Sequence, residues 1–377
     1  MTQKLATVHS EVPYRVLCID GGGMRGIYTA AYLDELVKRY ASHRNLAGIG
    51  LDIGKAFDLI VGTSTGAIIA AGIAAAVPPS EILKLYRKEG PNIFPSKIPS
   101  GVNWTLLKQL WTRPRLLATG EKALADALEK VFGTITIGEL YKKRGIGLAI
   151  PAVEMARHHA WIFKTSHLPN SIGRDDDYQI SDVCRATSAA PLYRSLAALD
   201  NPNGEGYRVF ADGGLYANTP VMVGLIDALQ MTEPNQHIQI FGLGNCKRPA
   251  GQAIKKSAVH RGLGDWKFGG EAASLAIDAQ EEVAWEMARL LARHVERRLD
   301  LIQFPRGAVS ASAMAFLDLD ETSIEAADVM VAQAQADVIG TLTACADEEN
   351  ATGRALKQLL MDIPPYTVDK RSTQEEH

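Results

Sequence analysis

The chain has 377 residues, a formal net charge of −3 and 46% hydrophobic residues, enough for one large domain or two ordinary ones around a sizeable core. The near balance of charge excludes a generally basic binder of nucleic-acid polymers. The cysteines Cys18, Cys184, Cys246 and Cys345 form no C-x-x-C pair, which excludes a zinc knuckle or a disulfide frame and suits reduced thiols in a cytoplasmic protein.

The opening MTQKLATVHSEVPYR has no apolar leader core. The longest apolar run, Ala67 to Val77, is too short to span a bilayer. Tyr14 to Ile19 reads as a buried strand. Ile27 to Leu36 recurs with helical spacing. Between them lies a turn, Asp20-Gly-Gly-Gly-Met-Arg-Gly26. A second strand, Phe57–Val61, runs through a sharp turn into a helix of small residues from Ala67. Pro78 and Pro79 end that helix, and Ser80 caps the next, which runs to about Lys88. A proline-rich loop, Pro91 to Gly101, follows.

In NWTLLKQLWTRPRLL, Trp104, Leu107 and Trp111 share one helix face, with Lys108, Arg113 and Arg115 nearby. Such a segment suits a membrane interface and equally a lid or core helix. EKALADALEKVFG is an amphipathic helix, and IGLAIPAVEM and HHAWIFKTS read as strands. ISDVCRATSAAPLY is a helix running into a proline stop. YRVFADGGLYANTP is a strand, a glycine turn and a loop, and HIQIFGLG is another buried strand. Lys247 to Gly270 is basic and glycine-rich, with Lys247, Arg248, Lys255, Lys256, Arg261 and Lys267. A solvated loop, or one that meets anionic headgroups or a nucleotide, fits it. The remainder is mostly helix. Strands alternating with helices predict a mostly parallel sheet covered on both faces, with chemistry at the carboxyl ends of the strands.

Gly62-Thr-Ser-Thr-Gly66 is a G-x-S-x-G nucleophile elbow in its required setting, strand before and helix after. An ordinary glycine–serine turn is the plainer reading of the five residues alone. A nucleophilic Ser64 needs a base. The histidines fit poorly: His158 and His159 look solvated, His237 precedes a strand, and His260 and His294 lie on basic segments. Asp212 ends a strand, and Gly213 and Gly214 clear the space around its carboxylate. A desolvated carboxylate held against a hydroxyl can serve as the base; an Asx-turn is the structural alternative.

Gly21, Gly23 and Gly26 also match the dinucleotide pattern G-x-G-x-x-G, but the next strand does not end in the acidic residue that a ribose requires. An oxyanion hole built from the amides near Gly22 and Gly23 fits better, with Arg25 bracing the loop or adding positive charge.

These segments resemble the signature motifs of patatin-like phospholipases, in order: Asp20 to Gly26, Gly62 to Gly66, ATSAAP from Ala186 to Pro191, and Asp212-Gly-Gly214 followed by ANTP. The resemblance covers roughly Tyr14 to Gly244. It implies a three-layer α/β/α fold with a mostly parallel central sheet and C-terminal helical additions. The expected division is a catalytic domain over 14–305 and a helical extension over 306–377 packed on it, ending in a flexible tail. It further implies a Ser64–Asp212 dyad without histidine, metal or cofactor, an oxyanion hole of Gly22, Gly23 and Arg25, and hydrolysis of phospholipid esters at the inner membrane. Asp20, Gly21, Gly26, Gly62, Gly66, Gly213 and Gly214 are its supporting motif positions. Cytoplasmic bacterial members of this kind resemble phospholipase effectors of cyclic-oligonucleotide antiphage systems, so a cyclic oligonucleotide activator and a homo-oligomer are expected partners. FGLGNC departs from the Ser-Leu-Gly-Thr-Gly strand end common in relatives. A constitutive lipase, a histidine-triad esterase and a non-catalytic nucleotide-binding module are the alternatives.

Overall fold

A computed structural model describes residues 12–366 apart from 47, 49, 96–103, 247–253, 263, 267–268, 306–308 and 311–312, with backbone alone for 104–111. In chain order the elements begin with β1 (Tyr14–Ile19), α1 (Gly26–His43), β2 (Leu59–Gly62), α2 (Thr65–Ala74), α3 (Pro79–Ile93), α4 (Trp104–Phe132) and α5 (Ile137–Arg144). There follow β3 (Gly147–Glu154), β4 (His159–Lys164), α6 (Ile180–Thr187), β5 (Ala197–Asp200), β6 (Tyr207–Asp212), α7 (Gly214–Ala217) and α8 (Val221–Met231). The chain closes with β7 (Ile238–Leu243), α9 (Gly270–His294), β8 (Leu299–Phe304), α10 (Ile324–Ala346) and α11 (Ala351–Asp362).

The strands β3, β2, β1, β7 and β8 are parallel neighbours. Antiparallel strands complete the sheet: β4 and β6 pair with β3, and β5 pairs with β6. Alternation along β1 shows why both faces must be covered. Leu17 and Ile19 point into a large core with α1, α2 and α3. Val16 and Cys18 point the other way, against Val221 and Leu225 of α8 and Trp285 of α9. The architecture is the expected three-layer α/β/α arrangement with a mostly parallel central sheet.

Three local expectations shift. Pro78, not Ser80, holds the N-cap position of α3, with Pro79 at its first turn and no side-chain cap bond. The second strand is Leu59–Gly62 rather than Phe57–Val61. A preceding 3-10 turn, Ile53–Ala56, holds Phe57 through its amide to the Gly54 carbonyl, and Asp58 turns its carboxylate to the Arg15 amide at 2.8 Å. Helix α3 runs past Lys88 and through Pro91 to Ile93. Burial of Ile93 and Phe94 outweighs the local helix-breaking signal.

The C-terminal helices pack directly on the catalytic layers. Helix α10 lies along α1, where Tyr28 Oη donates to Asp337 Oδ2 at 2.6 Å and Tyr32 Oη meets Thr341 Oγ1 at 2.7 Å. Among the described residues, α10 alone is long and apolar enough to cross a membrane by length and composition; here its buried stripe, from Ala326 to Cys345, faces the protein. The expected tail, the Trp104–Trp111 side chains and most of the basic loop from Lys247 lie outside the described residues. Lys255 and Lys256 are described, and both are exposed.

Candidate active site

One edge of β3 creates the site. Strand β4 occupies the other edge along its length, pairing Lys164 with Ala149 and Trp161 with Ala152. On the free edge, β2 pairs in parallel over Gly147–Ala149, and β6 pairs antiparallel over Ala152–Glu154. Strands β2 and β6 therefore run toward each other head to head. The residues just beyond one end and at the other, Ser64 and Asp212, meet: Ser64 Oγ donates to Asp212 Oδ2 at 2.7 Å.

The elbow is strained and locked. Ser64 sits at φ +55°, ψ −129°, a region that costs a non-glycine residue on the order of 1–3 kcal/mol. The close approach of the elbow to β1 requires glycine at position 66, where a Cβ would lie 2.5 Å from the Asp20 carbonyl oxygen and 2.6 Å from that of Ile19. Gly62 ends β2 against α2. The Ser64 amide donates to Thr187 Oγ1 at 2.9 Å, and that hydroxyl donates in turn to the Pro151 carbonyl at 2.6 Å.

Asp212 is buried, and its strand end is tied to the ATSAAP segment. Its amide donates to the Ala189 carbonyl at 3.0 Å, and the Gly213 amide to that of Thr187 at 3.2 Å. The Gly214 amide donates to Asp212 Oδ1 at 2.7 Å. Burial pushes the Asp212 carboxyl up to about 6, opposed by the Ser64 hydroxyl, the Gly214 amide and the charge of Arg194. Its proton affinity thus lies near neutrality, where a general base is most effective.

The glycine turn after β1 faces the elbow. Gly23 adopts φ +57°, and a Cβ there would lie 2.4 Å from the Leu319 carbonyl oxygen. That same oxygen accepts the Met24 amide at 2.9 Å. The Gly22 amide donates to Thr65 Oγ1 at 3.1 Å, while the Gly23 amide donates to no group among the described residues. Arg25 is 9% exposed, and its Nε reaches back to the Gly22 carbonyl at 3.3 Å. Gly21 is held on both sides: its amide meets the Asn218 carbonyl at 3.0 Å, and its carbonyl accepts from the Asn218 and Asn245 side chains. Asp20 closes β1 through its amide to Leu243, and Gly26 starts α1 against the Tyr86 ring.

No described histidine hydrogen-bonds to Ser64. His158, His159, His260 and His294 are exposed. His237 pairs with Asp300 at 2.9 Å at the start of β7. His167, which the sequence reading passes over, is buried between Thr165 and Asp227 beside Gly147, at the opposite end of the strands from Ser64. No group of three or more His, Cys, Asp or Glu residues suited to a metal occurs among the described residues.

Sequence reasoning also leaves Thr187, Asn218 and Asn245 without roles, although the first two lie within ATSAAP and ANTP. Asn245 occupies the departure noted in FGLGNC and supports the glycine turn from there. Leu319 carries no local signal, because its contribution is a main-chain carbonyl.

Fold and site together define an α/β protein with a serine elbow facing a buried carboxylate. The family model described as patatin-like phospholipase matches residues 17–225. A cGAMP-activated phospholipase of Pseudomonas aeruginosa is 34% identical over 278 residues, 73% of this chain and 74% of that protein. A second cGAMP-activated phospholipase, from Vibrio cholerae, is 29% identical over 73% of this chain and 76% of its own. A cUMP-AMP-activated phospholipase of Escherichia coli is 28% identical over 61% of this chain and 64% of its own. Among solved structures, human GIVD cytosolic phospholipase A2 aligns over 93% of this chain and 60% of that one, with a TM-score of 0.43 and 12% identity. The chain belongs to the patatin-like phospholipase family.

Proposed function

We propose that this phospholipase is a serine acyl hydrolase with a Ser64–Asp212 dyad, switched on by a cyclic oligonucleotide and acting from the cytoplasm on the inner membrane. The observation that carries the catalytic part is the 2.7 Å bond from Ser64 Oγ to a carboxylate that burial pushes up to about 6.

Ser64 Oγ attacks the ester carbonyl as its proton passes to Asp212 Oδ2. The negative charge on the tetrahedral intermediate meets the Gly23 amide, which is unengaged at rest, and the positive end of α2. The Gly22 amide joins when it exchanges Thr65 for the oxyanion, and Arg25 holds the turn through the Gly22 carbonyl. Collapse expels the lysolipid alkoxide, which takes the proton from Asp212. Water then attacks the acyl-serine with Asp212 as base, releasing the fatty acid and restoring Ser64. The Gly214 amide on Oδ1 keeps Oδ2 turned to the serine throughout.

The activated relatives support the regulatory part, as does the chemistry of an enzyme whose substrate is its own cell's membrane. A ligand activates only by binding the competent state more tightly than the resting one. The test combines a fluorophosphonate label with hydrolysis of phospholipid vesicles, each without and with cGAMP or cUMP-AMP. The expected result is labelling confined to Ser64, low basal hydrolysis, a strong rise with one nucleotide, and a change of oligomer size on a sizing column. Full activity that no nucleotide alters would leave a constitutive lipase. A label that never reacts would leave a nucleotide-binding module.

A further inference from the structure

Helix α9 has two apolar faces, and the protein covers one of them. Ala284, Trp285 and Ala288 are buried, with Trp285 seated against Gly242 of β7. On the same side Gln280 accepts the Asn218 amide at 3.0 Å, and Glu281 accepts the Asn218 side-chain amide. The outer face carries Ala272, Ala276, Ala279, Val283, Met287 and Leu290, which recur at three- and four-residue intervals and are all exposed. Val283 is 49% exposed, and Met287 and Leu290 are each 50% exposed. A helix that only covers a core needs one apolar face. Exposed apolar side chains scattered singly are ordinary, whereas a continuous stripe along one helix marks a docking surface.

The charges beside the stripe identify what docks there. Helical geometry gathers Glu282, Glu286, Arg289 and Arg293 along one flank of it. The acidic pair precedes Met287 and the basic pair follows it. Glu282 and Arg293 stand five residues before and six after Met287, and Glu286 and Arg289 stand one before and two after. A second α9 laid antiparallel, with a twofold axis crossing near Met287, sets Glu282 opposite Arg293 of the partner subunit and Glu286 opposite Arg289 of the partner subunit. The twofold axis makes each contact twice. A parallel pair would instead bring the charged flank of one helix to the uncharged flank of the other. An anionic bilayer would be repelled by Glu282 and Glu286. Within one copy Glu286 meets Arg289, while Glu282 and Arg293 have no ion pair among the described residues.

We propose that the outer face of α9 is a self-association surface, on which two copies of this chain pair through antiparallel α9 helices about a twofold axis near Met287. The apolar stripe supplies the contact, and the flanking charges fix its direction. The covered face of the same helix holds Asn218, whose side chain donates to the Gly21 carbonyl at 3.2 Å. The surface for a second copy and the support of the glycine turn thus lie on opposite faces of one helix.

The test is sedimentation velocity of the full chain over a range of concentrations, without and with cGAMP. Wild type should form a dimer, or a larger assembly built from it. Glu282→Arg and Arg293→Glu should each associate at least about tenfold more weakly, because each sets like charges opposite one another. Mixing the two variants should restore association, since each then supplies the charge the other lacks, and the double variant Glu282→Arg/Arg293→Glu should restore it in a single chain. All four native cysteines are buried. Met287→Cys should therefore cross-link to its own counterpart through a short bismaleimide, whereas Ala276→Cys, about 33 Å from its counterpart in the antiparallel pair, should not. The substituted side chains are exposed, so each variant should keep the fold, which circular dichroism checks. A wild type that stays monomeric under every condition overturns the proposal, including one that floats with phosphatidylglycerol vesicles, which would assign the stripe to a bilayer. Association unaltered in the charge variants, no rescue on mixing, or cross-linking of Ala276→Cys overturns it as well.

Discussion

The Ser64 main-chain amide donates to the Thr187 hydroxyl at 2.9 Å. The strained Ser64 backbone is therefore held by a side chain from another element, and through Thr187 by the Pro151 carbonyl of β3. Thr187→Val keeps the shape and removes the hydroxyl. It should leave the Ser64 amide unsatisfied at a cost of about 1–3 kcal/mol, lower the melting temperature and depress turnover. Thr187→Ser should restore most of both. A Thr187→Val protein with wild-type stability and rate would show that the elbow needs no such support.

Ser64→Ala and Asp212→Ala should each abolish vesicle hydrolysis in a folded protein, and the double variant should be little worse than either, because the two groups act as a unit. Ser64→Gly should be equally inactive but melt higher than Ser64→Ala, since glycine accepts the φ of +55° without strain. Circular dichroism melts decide the order. Residual hydrolysis near wild type in Asp212→Ala would end the dyad mechanism.

Activity should depend on pH through Asp212. Burial raises its carboxyl to about 6, so the base form disappears as pH falls through that value. The kcat/KM should rise with pH and level off above the limb, losing about tenfold for each further pH unit below it. A profile flat down to the ordinary carboxylate range would remove Asp212 as the base.

Gly23→Ala should harm turnover more than Gly22→Ala. Its added Cβ would lie 2.4 Å from a main-chain oxygen at a φ of +57°, whereas the one at Gly22, on extended backbone, meets the Asn245 side chain at 2.6 Å rather than main chain. Loss of one oxyanion donor costs on the order of 2.7–4 kcal/mol of barrier. Single-turnover kinetics should place that loss in the chemical step, with binding little changed.

Charge reversal at Lys255 and Lys256, both exposed, should raise the cGAMP concentration needed for half-activation if the basic loop meets the nucleotide, while hydrolysis at saturating nucleotide is retained. An unaltered activation curve would move the nucleotide site elsewhere on the chain.

The parts of the site legible in the sequence are those whose constraints are local. Gly66 must be small because α2 begins against β1, and Ser64 stands between two glycines for the same reason, so the turn shows in five consecutive letters. The meeting of Ser64 with Asp212 is legible only as two turns at strand ends. Nothing local states that β2 and β6 share an edge of β3. Leu319 is beyond sequence reading because any residue offers the same carbonyl. The strand start expected at Phe57 and the helix stop expected before Pro91 mislead for the opposite reason, being local signals outweighed by packing.

The Met24 amide and the Leu319 carbonyl join the glycine turn to a segment near the other end of the chain. During synthesis the turn, the elbow and the aspartate all leave the ribosome long before residue 319 does. Until then the turn lacks its brace. The glycine turn is thereby completed last, and a chain terminated before residue 319 should lack the brace on Met24.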